Sequence, residues 1–251
     1  MLCVGAGGAP PTPVPSLEHV VVIVFENKDP SQLDARSAPA FASLGRRYAR
    51  ITRYTAVSHP SLPNYLALAS GSTHGIHNDC TTCSVSGTTI GDQLTRAGRT
   101  WFAYGEGYPS SRRFAKKHMP FLYFPHGADH VLPLARFKPA ALPEFAFVVP
   151  DLCNDMHDCP VATGDVWLKR FVTPLLALPK TAVFVIFDEG TTTEGGGGRV
   201  VALALGTAVR PGAVFSQPTN HYGLLRTIED AWGLPPLGRA ATATPIQGIW
   251  R

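Results

Sequence analysis

One serine stands out among the residues that could do chemistry. Ser61 lies in the stretch HPSLPNY, residues 59–65, directly before the apolar segment YLALASG. It could be the N-cap of a helix, because serine is favoured there and proline is tolerated in the first turn. It could also be a nucleophile, because a helix N-terminus has free N–H groups and partial positive charge that bind phosphate and favour an alkoxide. The two interpretations are compatible.

Carboxylates follow two apolar runs with no intervening residue. Glu26 and Asn27 come directly after VVVIVF, and Asp188 and Glu189 come directly after VFVIF. A carboxylate beside a buried strand costs free energy unless a positive group meets it, and no Lys or Arg adjoins the second pair in the sequence. We therefore expect a bound cation. Carboxylate, amide and hydroxyl oxygens suit Ca²⁺, Mg²⁺ or Mn²⁺.

A third polar group follows the apolar stretch FAFVVP, residues 145–150. Its members are Asp151, Asn154, Asp155, His157 and Asp158. Ligands of open α/β folds bind at the carboxyl edge of the sheet, so all three groups could share one site. Zinc or iron would become possible if a histidine joined the oxygen donors, and the candidates are His157 and His221.

Two glycine-containing motifs point to other enzyme classes, and both fail on inspection. SGSTHG, residues 70–75, only superficially imitates the Gly-x-Ser-x-Gly motif of serine hydrolases. EGGGGR, residues 194–199, lacks the Gly-Lys-Ser/Thr ending of a nucleotide loop and precedes a strand. A rim loop is the better interpretation of this second segment.

Alternating apolar strands and helical segments must position these groups. The predicted strands are residues 19–26, 100–106, 145–150, 181–189 and 200–206. The predicted helices include 38–49, 89–98, 165–178 with Pro174 kinking or splitting it, and 221–233. This pattern indicates an α/β three-layer sandwich around a largely parallel sheet. We expect a flexible Pro/Gly-rich leader at 1–18, a single domain at 19–251, and a mostly irregular insertion or lid at 107–143.

Composition excludes several classes of protein. The 251 residues are 45% hydrophobic and 16% charged, which is far from disordered proteins. The net charge of +4 is thinly spread, and its densest basic cluster, residues 111–118, is too short to indicate nucleic-acid binding. No apolar run approaches the ~20 residues of a membrane span. The leader has neither the basic segment nor the full apolar segment of a signal peptide.

Four of the five cysteines form two close pairs, Cys80 with Cys83 and Cys153 with Cys159. They could hold a structural zinc, although the second spacing is wide for that. A thioredoxin-like motif would need a different strand and helix context. Two disulfides, pairing locally or across, are favoured, and they would mean export to an oxidising compartment as a periplasmic, secreted or lipid-anchored protein.

Five segments together resemble the bacterial and fungal phosphoesterase family of the alkaline phosphatase superfamily, which contains acid phosphatases and phospholipases C. They are HVVVIVFENKDPSQ, HPSLPNYLALASG, VPDLCNDMHDC, FVIFDEG and NHYGLLRTIEDAWGL, in order over residues 19 to about 235. The resemblance implies an alkaline phosphatase-like fold, a hydrolase acting on phosphoric ester bonds, and one divalent metal ion (Ca, Mg, Mn or Zn).

The resemblance also implies site residues. The metal ligands would be Glu26, Asn27, Ser61, Asp188 and Glu189. Ser61 would be the nucleophile that forms a phosphoserine, and His157 with Asp155 would bind the phosphoryl group or protonate the leaving group. Substrate contacts would come from Asn64, His221 and His59, while His74 and His77 are either contacts or loop histidines.

Two departures from the family pattern bear on the substrate. The opening ENKDPSQ is closer to the compact phosphatase-like branch than to phospholipase-type members, and the chain is short. We therefore expect a small phosphomonoester. The alternatives are a phosphodiesterase or phospholipase C, and a non-catalytic envelope protein that binds a phosphate ligand.

Overall fold

A computed structural model describes residues 13–251. Residues 1–12 of the predicted leader, including Cys3, lie outside the described residues. At the end of that leader Leu17 is buried, and its carbonyl accepts a hydrogen bond of 2.9 Å from Trp232 Nε1. The backbone N–H of Glu18 donates to the carbonyl of Lys180 at 3.0 Å. The chain therefore joins the packed core just before the first strand.

The core is an eight-stranded sheet with the order β5-β4-β6-β1-β7-β8-β2-β9. Every neighbouring pair is parallel except the two pairs that β8 makes. Two further strands, β3 and β10, form a separate parallel pair. The strands are β1 (His19–Phe25), β2 (Ala49–Ile51), β3 (Tyr54–Thr55), β4 (Trp101–Gly105), β5 (Val131–Pro133), β6 (Phe145–Val149), β7 (Thr181–Phe187), β8 (Ala202–Leu205), β9 (Ala213–Phe215) and β10 (Thr219–Asn220).

Helices cover both faces of the sheet. On one face Phe25 of β1 packs edge-on against Phe41 and Trp167. On the other face Phe147 of β6 packs against Tyr65. The first face carries α1 (Pro39–Arg47) and α4 (Val161–Val172), and the second carries α2 (Ser61–Ser70), α3 (Ile90–Arg96) and α5 (His221–Trp232). The predicted three-layer α/β sandwich with a largely parallel sheet is confirmed.

Most predicted elements form within a few residues of their predicted bounds. Pro174 splits its helix as expected: α4 ends at Val172, and a 3-10 helix spans Thr173–Leu175. The segment 107–143 consists mainly of loops and short 3-10 helices. The cysteines pair locally, as the disulfides Cys80–Cys83 and Cys153–Cys159. In the described part of the chain, no helix has both the length and the apolar character needed to cross a membrane.

Candidate active site

Strand register places the first two acidic groups side by side. β1 and β7 are neighbours, and Phe25 pairs with Phe187, so the next residues, Glu26 and Asp188, leave the sheet at the same edge. Both carboxylates are fully buried. The backbone N–H of Asn27 donates to Asp188 Oδ1 at 3.1 Å, which ties the two strand ends together. The expected convergence of these carboxylates is present.

Ser61 faces this cluster from helix α2. The helix begins at Ser61, and the N-cap is Pro60. Ser61 Oγ lies 3.3 Å from Glu26 Oε2 and 3.3 Å from Glu189 Oε1. The interpretation of Ser61 as the N-cap is wrong, because the helix begins at Ser61 itself, one residue earlier than that role requires. Its hydroxyl is therefore directed at carboxylates of two different strand ends.

The first turn of α2 is held by an ion pair from outside the helix. Asp79 Oδ1 accepts a hydrogen bond of 2.9 Å from the N–H of Leu62, the residue after Ser61. Asp79 Oδ2 lies 2.7 Å from Lys117 Nζ. A carboxylate at a helix N-terminus is stabilised by the partial positive charge there. The segment 72–88 thereby fixes the start of the helix.

A buried histidine that the sequence did not indicate joins the cluster. His118, on the 3-10 helix Lys116–His118, has Nε2 3.2 Å from Glu26 Oε2 and Nδ1 3.6 Å from Asp155 Oδ2. Its ring stacks on Tyr65 at 5.2 Å, and the Tyr65 hydroxyl donates to Glu26 Oε1. His118 lies in the irregular segment 107–143, where no periodicity distinguishes it from exposed histidines.

The predicted pair Asp155 and His157 is only partly formed. Asp155 is fully buried, and its Oδ1 accepts the backbone N–H of His157 at 2.8 Å. The ring of His157 pairs instead with Asp158, with 2.6 Å between Nδ1 and Oδ1, and about a third of the side chain is exposed. The second carboxylate oxygen of Asp155 faces His118, so the two predicted partners face different groups.

His59 lies at the solvent side of the cluster. Its Nδ1 contacts Glu189 Oε2, and its Nε2 lies 2.8 Å from the carbonyl oxygen of Thr192. Partial burial opposes the charge on this ring, but the carbonyl and the carboxylate outweigh it and raise the pKa of His59. His59 thus pairs with one of the predicted metal ligands.

His221 supports the cluster through the backbone. Its Nε2 donates to the carbonyl oxygen of Asp188 at 2.6 Å, so its Nδ1 is the acceptor for the Tyr54 hydroxyl at 3.0 Å. Both ring nitrogens are therefore used within the protein. Burial lowers the pKa of His221 to about 4, which fits the neutral ring that this pattern requires. A substrate or metal contact of His221 stays a prediction.

The side-chain amide of Asn64 is also fully engaged. Its Oδ1 accepts the backbone N–H groups of Val57 and Ser58 at 2.9 and 3.1 Å. Its Nδ2 donates to the carbonyl oxygens of Ser58 and Pro60 at 2.8 and 3.3 Å. Asn64 therefore organises the loop that leads into Ser61, and its predicted phosphate contact stays a prediction.

The remaining histidine candidates lie outside the cluster. His74 Nε2 is 2.8 Å from Ser70 Oγ at the far end of α2, and its ring packs against Phe124. His77 is exposed. Both behave as loop histidines in this structure.

The buried carboxylates share an unfavourable electrostatic environment. Burial, and then the charges of Asp188 and Asp155, raise the pKa of Glu26 well above its usual value. Burial also raises the pKa of Asp155 to about 7 and that of Asp188 to about 6, and it raises the pKa of Glu189. Burial lowers the pKa of His118 to about 3, so this ring is neutral. Positive charge is what the cluster needs.

Residues 13–251 contain a group that could supply ligands to a metal ion. One donor atom each from Glu26, His118 and Asp155 lies within 4.8 Å of the others, and all three residues are buried. Of the five predicted ligands, Ser61 contacts both Glu26 and Glu189, and Asp188 accepts a hydrogen bond from the backbone N–H of Asn27. A separate groove of about 700 Å³ lies between α1 and α4 and includes no residue of this cluster.

Solved structures with a similar fold include a member of the alkaline phosphatase superfamily. A superfamily protein from Vibrio parahaemolyticus aligns with 93% of this chain and 71% of its own, at a TM-score of 0.64 and 16% identity. Murine ectonucleotide pyrophosphatase/phosphodiesterase 5 aligns with 91% of this chain and 100% of its own, at a TM-score of 0.61 and 12% identity. At these identities the likeness concerns the fold, which is that of the alkaline phosphatase superfamily.

The chain belongs to the Phosphoesterase family, whose profile matches residues 30–235. The phosphatidylinositol-3-phosphatase of Mycobacterium tuberculosis is 34% identical over 94% of this chain and 84% of its own length. The phosphate-repressible acid phosphatase of Penicillium chrysogenum is 30% identical over 89% of this chain, which spans only 61% of that relative. The protein is thus a hydrolase of phosphoric ester bonds, as the resemblance implied. Membership gives no support to the non-catalytic alternative.

Proposed function

We propose that this protein is a divalent-metal-dependent phosphomonoesterase that uses Ser61 as its nucleophile through a phosphoserine. The observation that carries the proposal is the position of Ser61 Oγ, 3.3 Å from both Glu26 Oε2 and Glu189 Oε1 at the first residue of a helix. A serine used only to start a helix would not be directed into buried carboxylates from two strand ends.

The residues present fit a divalent cation. Asp188 Oδ2 and Asp155 Oδ2 are buried oxygens without a hydrogen-bond partner among the described residues, and the neighbouring carboxylates have raised pKa values. Unpaired buried carboxylates are costly, and a cation removes that cost. Glu26, Asp188, Glu189 and Ser61, with Asn27 beside them, would hold the ion. When bound, it would lower the pKa of the nucleophile and stabilise charge on the phosphoryl oxygens.

The protein's own groups would then act on the ester. Ser61 Oγ loses its proton toward Glu26 or Glu189 and attacks phosphorus in line with the leaving alcohol. The bond from phosphorus to the alcohol oxygen breaks, and that oxygen takes a proton from His157, the proposed general acid. Water then attacks the phosphoserine, which releases inorganic phosphate and regenerates the serine. Helix α2 begins at the serine, so its N-terminal partial charge favours the phosphorylated state.

A phosphomonoester is the substrate class that we propose. The relatives named above are a phosphatidylinositol-3-phosphatase and an acid phosphatase, and both names denote monoesterases. The 34% identity over nearly the whole chain supports a small monoester or the monoester phosphate of a lipid headgroup as test substrates. A diester substrate is the alternative that the experiment below must exclude.

We also propose that residues 19–251 act as one domain in an oxidising compartment. Two disulfides bracket loops close to the cluster, and such bonds persist where thiols are not kept reduced. A periplasmic, secreted or lipid-anchored location fits this observation. Mass mapping of the protein isolated from its native host should find Cys80, Cys83, Cys153 and Cys159 oxidised.

The test measures turnover of p-nitrophenyl phosphate and bis-p-nitrophenyl phosphate, with chelator and after readdition of Mn²⁺, Ca²⁺ or Zn²⁺. We expect metal-dependent turnover of the monoester at a rate well above that of the diester. Ser61→Ala should lower kcat at least about 10³-fold. Ser58→Ala is the matched control, because within residues 13–251 that hydroxyl donates to the His59 carbonyl in the same loop and to no other group.

Acid quenching followed by mass spectrometry should then locate a phosphate on the peptide that contains Ser61. Near-normal activity of Ser61→Ala would contradict the nucleophile assignment. Faster turnover of the diester than of the monoester would indicate a phosphodiesterase and contradict the proposed monoesterase activity.

A further inference from the structure

The position of His118 is not explained by the hydrogen bonds that the protein itself supplies. Its side chain is 1% exposed, and it lies between Glu26 and Asp155, both fully buried. Nε2 of this ring and Asp155 Oδ2 nevertheless have no hydrogen-bond partner among the described residues. The 3.6 Å between Asp155 Oδ2 and His118 Nδ1 is too long for a hydrogen bond. A buried polar group without a partner destabilises the fold, because it has lost its hydrogen bonds to water and gained none. Two such atoms on either side of one ring indicate a partner that the chain alone does not provide.

Donor spacing around Glu26 fits that of ligands on one ion. His118 Nε2 lies 3.2 Å from Glu26 Oε2, which lies 3.3 Å from Ser61 Oγ. Ser61 Oγ in turn lies 3.3 Å from Glu189 Oε1. Two ligands that each lie about 2.1 Å from an ion, at right or tetrahedral angles, are about 3.0–3.4 Å apart. The two 3.3 Å separations at Ser61 Oγ are longer than an O–H···O hydrogen bond of good geometry, which is about 2.5–3.0 Å.

The other side of the ring has the partner that an imidazole ligand usually has. A metal-bound histidine donates its second N–H to a carboxylate or carbonyl, which fixes the tautomer and the ring orientation. Here His118 Nδ1 faces Asp155 Oδ2 at 3.6 Å, close enough to tighten into such a bond. Asp155 is itself held by the disulfide-closed loop and by the backbone N–H of His157 at its Oδ1. Tyr65, stacked at 5.2 Å, prevents the ring from tilting away.

We propose that His118 is an imidazole ligand, through Nε2, of the divalent ion invoked under the proposed function, and that Asp155 is its positioning residue. This inference rests on the proposed metal site and adds a nitrogen donor to a set of oxygens. An imidazole shifts the preference of the site away from Mg²⁺ and Ca²⁺ toward Zn²⁺ or Fe²⁺. Asp155 then orients a metal ligand. The sequence had led us to expect that it would instead assist His157.

The first experiment measures metal affinity, not turnover. Metal-free protein is titrated with Zn²⁺ and with Co²⁺ in competition with a chromophoric chelator, and its Mg²⁺ affinity is measured in parallel. We expect His118→Gln to weaken Zn²⁺ and Co²⁺ binding at least about 100-fold and Mg²⁺ binding far less. Asp155→Asn should weaken Zn²⁺ binding about 10- to 100-fold. Restoration of near wild-type affinity in Asp155→Glu would support an orienting role.

His130 provides a matched control in the same segment. Its ring stacks on Trp101 at 4.2 Å and contacts no residue of the cluster. His130→Gln should therefore leave Zn²⁺ affinity within about twofold of the wild type. Equal affinity in His118→Gln and the wild type, with the circular dichroism spectrum unchanged, overturns the proposal.

A second measurement uses the wild type first and a variant only to assign the signal. X-ray absorption of the Zn²⁺-loaded wild type should show outer-shell scattering from one imidazole, and its absence overturns the proposal. Loss of that signal in His59→Gln would show that the imidazole ligand is His59 and not His118, and this result would also overturn the proposal. If the wild type binds no divalent ion, the proposed metal dependence fails as well. Ion binding with full activity but no imidazole rejects His118 alone.

Discussion

At the scale of single residues, Asn64 shows how a predicted contact can have a different role. The sequence places it three residues after the proposed nucleophile, where an amide could orient phosphate. In the structure its four hydrogen bonds all go to the backbone of residues 57–60. Because Asn64 is fully buried, water cannot reach these groups, and the protein's own hydrogen bonds must satisfy them. Asn64 therefore fixes the loop that places Ser61 at the first position of helix α2.

We expect Asn64→Ala to lower the free energy of unfolding by about 2–4 kcal/mol, because it leaves buried backbone groups without partners. The loop would then hold Ser61 less precisely, so kcat should fall at least about tenfold. Asn64→Asp keeps both acceptor bonds, so its free energy of unfolding and its kcat should lie between those of the wild type and of Asn64→Ala. Urea unfolding and steady-state kinetics measure these quantities. A raised KM with unchanged unfolding would show instead that Asn64 acts as a substrate contact.

Single residues also show what the sequence could and could not predict. Glu26 and Asp188 could be placed together, because a carboxylate that directly follows a buried strand has little freedom of position. His118 could not be placed, because its neighbours Glu26 and Asp155 are distant in the chain and its own segment has no regular pattern. Local pattern determines which face of a strand a residue occupies, whereas contacts between loops depend on the assembled fold.

At the scale of elements, length decides which strands the sequence reveals. The seven-residue strands β1 and β7 are apolar and buried along their length, and both were predicted. The three-residue strands β2 and β9 pair with each other in parallel but were missed. A run of three residues is too short to show a period of two. Strand order was also unreadable, since parallel neighbours are joined through distant parts of the chain.

The loop between β6 and α4 is the element on which the site depends most. The disulfide Cys153–Cys159 closes it, and the carbonyl of Asp155 accepts the backbone N–H of Glu26 at 2.9 Å. Opening the loop therefore releases the strand end that carries Glu26 as well as the buried Asp155. The disulfide Cys80–Cys83 closes a segment whose link to the site is the contact between Asp79 and Leu62.

We expect Cys153→Ser with Cys159→Ser to lower kcat/KM at least about tenfold, because the larger conformational freedom of the open loop must be lost again in each productive complex. Cys80→Ser with Cys83→Ser is the matched variant and should lose less. Kinetics on both, with circular dichroism to verify folding, compare the two loops. Equal losses would mean that disulfides act here on general stability and not on this loop.

At the scale of the whole molecule, the sheet gathers acidic groups from distant parts of the sequence at one buried edge. Loops after β1, β6 and β7 supply Glu26, Asp155 and the pair Asp188 and Glu189. A sheet whose strand order places β6, β1 and β7 next to each other makes this convergence unavoidable. The fold thus concentrates negative charge where solvent cannot screen it, and its stability must depend on what neutralises that charge.

Stability should therefore respond to pH and to metal together. In the metal-free protein, burial raises the pKa of Asp188 to about 6 and that of Asp155 to about 7, above the ~3.9 of an unfolded aspartate. A carboxyl with a raised folded-state pKa binds its proton more tightly when folded. Its stabilising contribution is complete below about pH 4 and is lost as pH rises through about 7. The metal-free protein should lose stability over this window.

A divalent ion acts in the opposite direction, because protons compete with it for the same carboxylates. At pH 7.5, an ion at 100 times its Kd adds about 2.7 kcal/mol, which is about 5–10 °C in Tm for a chain of this size. We expect the difference in Tm between Mn²⁺-loaded and chelated protein to be small near pH 5 and to grow to this value by pH 7.5. Thermal unfolding at half-unit pH steps measures it. Burial raises the pKa of Glu229, a buried residue apart from the cluster, to about 8, but this cancels in the difference. A difference that stays constant with pH would show that the buried carboxylates do not bind the ion.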